Sequence, residues 1–129
     1  MIPAVNPPPV VLVTGSSRGL GRGVAEELAR AGCSVAIHYA ANRQAAEDTA
    51  AACRSLAAGA GQQFHLVAGD IGRAADRQAL FDRTLDAYGR LDALVNNAGI
   101  APRVRADIAD AAEDVFDEVI AVNLKGRTS

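Results

Sequence analysis

The sequence predicts an α/β fold, a parallel sheet with helices on both faces. Three observations predict it. Short β-branched runs alternate with longer helical patterns along the chain, with no long insertion between them. Half of the 129 residues are apolar, which suits the core of a single domain. A glycine-rich stretch, "VTGSSRGLGRG" (13–23), lies where the first strand gives way to the first helix.

Each element follows from its pattern. "VVLVT" (10–14) reads as a strand buried on both faces. Gly19 to Ala31 carries Leu20, Val24 and Leu28 at helical spacing, and Gly32 fits a helix stop. "SVAIHY" (34–39) is a second strand. Residues 43–58 form an Ala-rich helix with Ala46, Thr49, Ala50, Cys53, Leu56 and Ala57 on one face, ended by "GAG" (59–61). "QFHLVAG" (63–69) is a third strand. Residues 73–88 are a third helix with Phe81, Leu85 and Tyr88 toward the core. "LDALVNN" (91–97) is a fourth strand, and a loop containing Pro102 follows. A last helix is expected from about Ala112 to Leu124, with Val115, Phe116, Val119 and Ile120 as its apolar stripe.

Composition narrows the function classes. With three Phe, two Tyr and no Trp, the core must be built from Ala, Val, Leu and Ile. A net charge of −2 with scattered arginines argues against nucleic acid, which needs a clustered basic face. Cys33 and Cys53 have no CxxC partner and no His at metal spacing, so two free thiols and no metal site are expected. No run approaches the ~18 apolar residues of a membrane span. The start, "MIPAVNPPPVV", has four prolines before Val10 and no basic segment. It reads as an extended, mobile lead-in over residues 1–9 rather than a signal peptide, and a cytoplasmic location is expected. His38 and His65 fall within strands and read as packed or hydrogen-bonded residues.

The glycine stretch is read as a phosphate-holding loop. It follows a strand and opens a helix, whose N-terminus offers unpaired N–H groups and partial positive charge. Glycines let the chain turn sharply and let a phosphate come close. Gly15, Gly19 and Gly21 are spaced G-x-x-x-G-x-G, which is neither G-x-G-x-x-G nor a lysine-bearing Walker loop.

"TGSSRGLG" (14–21) resembles the cofactor loop of the short-chain dehydrogenases/reductases. "GD" (69–70), "NNAG" (96–99) and "VNLKG" (122–126) follow in the order and spacing of that family. Within it, "SSRGLG" and "NNAGI" are most similar to the 3-oxoacyl-acyl-carrier-protein reductase type. The resemblance implies a Rossmann-type doubly wound sheet, of which this chain supplies four strands in the order 3-2-1-4. It implies that Gly15, Gly19 and Gly21 shape the pyrophosphate-binding turn, with Ser17, Arg18 and Leu20 also at the cofactor. By the same resemblance Asp70 bonds the adenine with Ile71 packing beside it, and Asn97, Ala98 and Gly99 border the ribose. Asn123 corresponds to the catalytic asparagine that holds a water in the proton relay. Taken alone, Asp70 could serve as a helix N-cap, and Asn96 and Asn97 as turn formers.

The cofactor is expected to be NADP rather than NAD. The end of the second strand reads "IHYAANR", with Tyr39 where an NAD site places an acid. Arg18 and Arg43 can instead meet a 2′-phosphate. The implied substrate is a small carbonyl or acyl thioester, and the implied full-length form is a homo-oligomer.

The chemistry of the family needs a Tyr-x-x-x-Lys pair and a serine. The only lysine here is Lys125, and Ala121 stands four residues before it, so no such pair occurs in the 129 residues. Residues 10–129 therefore read as the N-terminal part of one dinucleotide-binding domain, truncated before its catalytic half and inactive alone. A stand-alone or partner-completed nucleotide-binding module is the alternative. The fourth strand separates the two readings: "DALVNN" is expected to be an unpaired edge, which a natural module would cap.

Overall fold

The computed structural model describes residues 7–97 and 119–121. Its sheet grows outward from β1 (Val10–Val13), whose four residues are all buried. β2 (Ser34–Tyr39) lies parallel on one side, with Val11 opposite Val35, and β4 (Ala93–Val95) lies parallel on the other, with Leu12 opposite Leu94. β3 (Leu66–Ala68) pairs with the far side of β2. The four parallel strands stand in the order 3-2-1-4, as the sequence implies. The chain walks outward through β2 and β3, then returns to β4. Between β1 and β4 the direction of winding reverses, which opens a crevice at the carboxyl ends of the strands.

Side-chain alternation assigns the helices to the two faces. Val11, Val13, Val35 and Ile37 pack with Ala25 and Ala29 of α1 (Gly19–Arg30) and Ala46, Ala50 and Cys53 of α2 (Arg43–Leu56). Val10, Leu12, Ala36 and Val67 pack with Leu80, Phe81 and Leu85 of α3 (Ala74–Tyr88) on the opposite face. Alanines at the α1–α2 contact let both helices lie close to the sheet. No helix among the described residues is long and apolar enough to cross a membrane.

Two expectations are corrected. The helix expected from about Ala112 to Leu124 is not helical at Val119–Ala121. Those residues form β5, antiparallel to β4, with Leu94 opposite Ile120. Its remaining residues and Pro102 lie outside the described residues. The β4 edge is thus paired rather than open, because the β-branched Val119–Ile120 run satisfies the backbone groups that β4 would otherwise expose. In the first turn of α1 Leu20 is 72% exposed, while Val24 and Leu28 are partly buried against the core on the α1 side.

β3 also begins later than residue 63. The Tyr88 hydroxyl sits in the gap between β2 and β3, accepting from the His65 N–H at 2.8 Å and donating to the Val35 carbonyl at 2.9 Å. A regular ladder would join those two groups directly. Burial drives the Tyr88 phenol pKa well above its ordinary value, so the hydroxyl keeps its proton. Of the proline lead-in, Pro9 is held by its carbonyl, which accepts from the Ser34 N–H at 2.8 Å. Residues 1–6 lie outside the described residues.

Candidate functional site

The crevice is lined by the segments that leave the parallel strands. The first is the β1–α1 loop, Thr14 to Arg18. Gly15 and Gly19 have φ of +62° and +63°, a backbone conformation open to glycine and strained for other residues. Gly21, already helical, allows a close approach instead. A Cβ on it would intrude on the Gly15 carbonyl oxygen and lie 2.7 Å from Asn97 Nδ2. The three glycines thus have different duties: two bend the chain, and the third lets α1 sit against the loop.

Other elements hold the loop. Asn97, after β4, donates through Nδ2 to the Gly15 carbonyl at 3.2 Å. Thr49 of α2 donates to the Ser17 carbonyl at 2.9 Å. Ser16 is fully buried, its N–H donating to the His38 carbonyl at 3.2 Å and its Oγ accepting from the His38 N–H at 2.8 Å. The His38 ring reaches further. Its Nδ1 accepts from the Gly15 N–H at 2.8 Å, and its Nε2 meets the Gly69 carbonyl at 2.8 Å. Burial lowers the His38 pKa below the ordinary histidine value, with the Gly69 bond acting in the opposite sense.

The N-terminus of α1 faces the crevice uncapped. Arg18 is the N-cap residue and makes no side-chain cap bond, and the first helical bond is Arg22 N–H to Arg18 carbonyl at 3.3 Å. The N–H groups of Gly19, Leu20 and Gly21 precede that bond and have no carbonyl one turn behind them. A Cβ placed on Gly19 would meet nothing within 4 Å, so the space over this turn is open. An anionic group can approach the backbone there, stabilised by the helix dipole. The residues fit a dinucleotide pyrophosphate at this turn.

The second wall is the β3–α3 loop. Asp70 is exposed, and its Oδ1 accepts from the Gly72 N–H at 2.9 Å in a tight Asx turn. It is not the N-cap of α3, a position taken by Arg73. Ile71 packs down onto the α3-side core, beside a small apolar pocket with Thr14, Arg77, Leu80, Phe81, Leu94 and Asn96. Asn96 is buried and within 3.4 Å of Thr14 Oγ1. At the end of β2, Tyr39 takes a 3.2 Å hydrogen bond from Arg43, which also pairs with Glu47 at 2.9 Å. Arg18 is exposed and forms no ion pair among the described residues.

Gly15, Ser17, Arg18, Gly19, Leu20, Gly21, Asp70, Ile71 and Asn97 therefore all belong to segments at the carboxyl ends of the strands. Ala98, Gly99 and Asn123 lie outside the described residues. The sequence reading left His38 and Ser16 without a specific role. The available signal was register: Val13 opposite Ile37 puts His38 beside the start of the glycine loop.

The family model for short chain dehydrogenases matches residues 9–129. The chain belongs to this family. Similar short-chain dehydrogenases include a short-chain type dehydrogenase/reductase of Picea abies, 35% identical over 119 residues that make up 91% of this chain and 44% of that protein. A granaticin polyketide synthase ketoacyl reductase of Streptomyces violaceoruber is 40% identical over 92% of this chain and 45% of its own length. A Burkholderia cenocepacia dehydrogenase solved with bound NADP superposes with a TM-score of 0.63 at 32% identity, covering 84% of this chain and 41% of that one. The chain thus spans less than half the length of these short-chain dehydrogenase relatives.

Proposed function

We propose that this chain is the cofactor-binding portion of an NADP-dependent short-chain reductase, whose reaction moves hydride between NADP(H) and a ketone or alcohol. One observation carries the reading: the uncapped first turn of α1, bent by Gly15 and Gly19 beneath open space, with its loop tied from β2, β4 and α2. Gly15, Gly19 and Gly21 would shape the pyrophosphate turn, with Ser17 and Leu20 beside the dinucleotide and Arg18 at its 2′-phosphate. The exposed apolar surface of Leu20 would be covered by the bound dinucleotide. Asp70 and Ile71 would meet the adenine, and Asn97, with Ala98 and Gly99, the ribose. Asn123 is assigned to the proton relay. Arg18, with no ion pair among the described residues, and Tyr39 in place of an acid support NADP over NAD.

The substrate we propose is a 3-oxoacyl thioester or a related polyketide-like ketone, in keeping with the ketoacyl reductase relative. With no Tyr-x-x-x-Lys in the 129 residues, the chain alone is expected to turn nothing over. Titration with NADPH and NADH, followed by nucleotide fluorescence, tests the binding half of the proposal. An assay with an acetoacetyl thioester tests the other half. NADPH binding tighter than NADH binding, without turnover, is the expected result; turnover by this chain would overturn the assignment of the chemistry to residues it lacks.

A second reading is a nucleotide-binding module that works without chemistry of its own or with a partner. It is favoured by β5, which pairs the β4 edge. Sedimentation of the chain with and without NADPH addresses it: a monodisperse, cofactor-binding monomer fits the module, and aggregation through an open sheet edge opposes it.

A further inference from the structure

We propose that His38 is a positioning residue for the dinucleotide site, its neutral imidazole locking the glycine loop and the Gly69–Asp70 loop into one rigid wall. The inference rests on the reading that these two loops bind NADP.

The chemistry of the ring fixes its role. The Gly15 N–H can only donate, so Nδ1 of His38 must be bare to accept from it at 2.8 Å. A neutral imidazole then carries its proton on Nε2, which donates to the Gly69 carbonyl at 2.8 Å. With its backbone N–H on Ser16 Oγ and its carbonyl on the Ser16 N–H, His38 joins two consecutive residues of one loop to the residue before Asp70 on the other. The ring is buried, at 2% exposure, so water cannot replace either partner. Any buried imidazole must find partners for its ring nitrogens, so the choice of partners is what distinguishes His38. Here both ring nitrogens end on backbone groups of the segments that would meet the cofactor. The Gly15 carbonyl, which belongs to the next peptide, is held by Asn97, so His38 and Asn97 together fix the two peptide planes that flank the Gly15 Cα at the start of the loop.

Two substitutions separate the arms. In His38→Asn an amide oxygen can stand near the place of Nδ1 and keep the Gly15 bond while giving up Gly69. In His38→Gln the longer amide can reach Gly69 and gives up Gly15. We would record imidazole nitrogen shifts and Gly15 amide exchange by NMR on the ligand-free 129-residue chain, then NADPH affinity and urea midpoints for both variants. The expected result is a bare Nδ1 and a protonated Nε2, a protected Gly15 amide in the unsubstituted chain and His38→Asn, and lost protection in His38→Gln. NADPH affinity should fall about tenfold more in His38→Gln than in His38→Asn at similar urea midpoints. A proton on Nδ1, Gly15 exchange indifferent to residue 38, or affinity losses that merely follow the urea midpoints would overturn the proposal. If the unsubstituted chain binds no NADPH, the cofactor reading fails, and with it the role at a dinucleotide site; the exchange data would still show by themselves whether His38 tethers the loop.

Discussion

Gly21 of α1 lies so close to the Gly15 carbonyl that a methyl group on Gly21 would occupy the oxygen's own space. The same carbonyl accepts from Asn97 at 3.2 Å, so it has no room to retreat on that side. Gly21→Ala must therefore push α1 off the loop. It is expected to destabilise the fold by about 1–3 kcal/mol, the usual range for overpacking, and to lose NADPH binding as well. Gly19→Ala differs in kind. Its Cβ meets no atom, but at φ +63° the backbone strain is about 1 kcal/mol. It should keep most of the stability and still weaken NADPH, because the methyl enters the open space over the turn. Urea unfolding and nucleotide titration on both variants check the contrast; equal stability losses would contradict it.

Arg18 and Arg43 are both near the crevice, but among the described residues only Arg43 is engaged, by Glu47 and Tyr39. Arg18→Ala is expected to lower NADPH affinity by about five- to tenfold and to leave NADH within about twofold, since the proposed bond is to the 2′-phosphate. Arg43→Ala should have the smaller effect. Parallel NADPH and NADH titrations at low salt decide the order, because high salt screens exposed charges.

His38 makes stability depend on pH. Its folded pKa is depressed, by burial first, from an ordinary value of 6.5. The unfolded chain therefore binds the proton more readily than the folded one. Stability from this group is complete above about pH 6.5 and is lost as the pH falls toward the folded pKa, with a slope of up to about 1.4 kcal/mol per pH unit. Urea midpoints at pH 7.5, 6.5 and 5.5 should decline for the unsubstituted chain. In His38→Asn that part of the decline should vanish; an unchanged pH profile would assign it elsewhere.

Tyr88→Phe tests the hydroxyl between β2 and β3. Its removal leaves the His65 N–H and Val35 carbonyl without their shared partner. A loss of about 1–3 kcal/mol in urea unfolding is expected unless the two strands close up to bond each other. A crystal or NMR structure of the variant would distinguish closure from loss.

Much of this was legible in the sequence, and the misses have local causes. The bounds of β2 and α1 followed from β-branched runs and a helix-stopping glycine, because those segments have both local propensity and burial on their side. The glycine loop was legible because glycine at positive φ has few substitutes. β3 was started three residues too early because one phenol on a distant helix interrupts its ladder. The His38 bonds depend on parallel register, which a single strand's pattern cannot supply. Val119–Ala121 has an apolar content compatible with a helical stripe or a strand, and the neighbouring edge of β4 decides between them.

A β-strand has one free side at a sheet edge, and β5 occupies that of β4. Any further strand that is to continue the parallel series next to β4 must first evict Val119–Ala121. β5 therefore occupies, with three residues, the one place where a parallel strand could lie directly beside β4. A parallel neighbour for β4 and retention of β5 are mutually exclusive, so the two compete for a single strand edge.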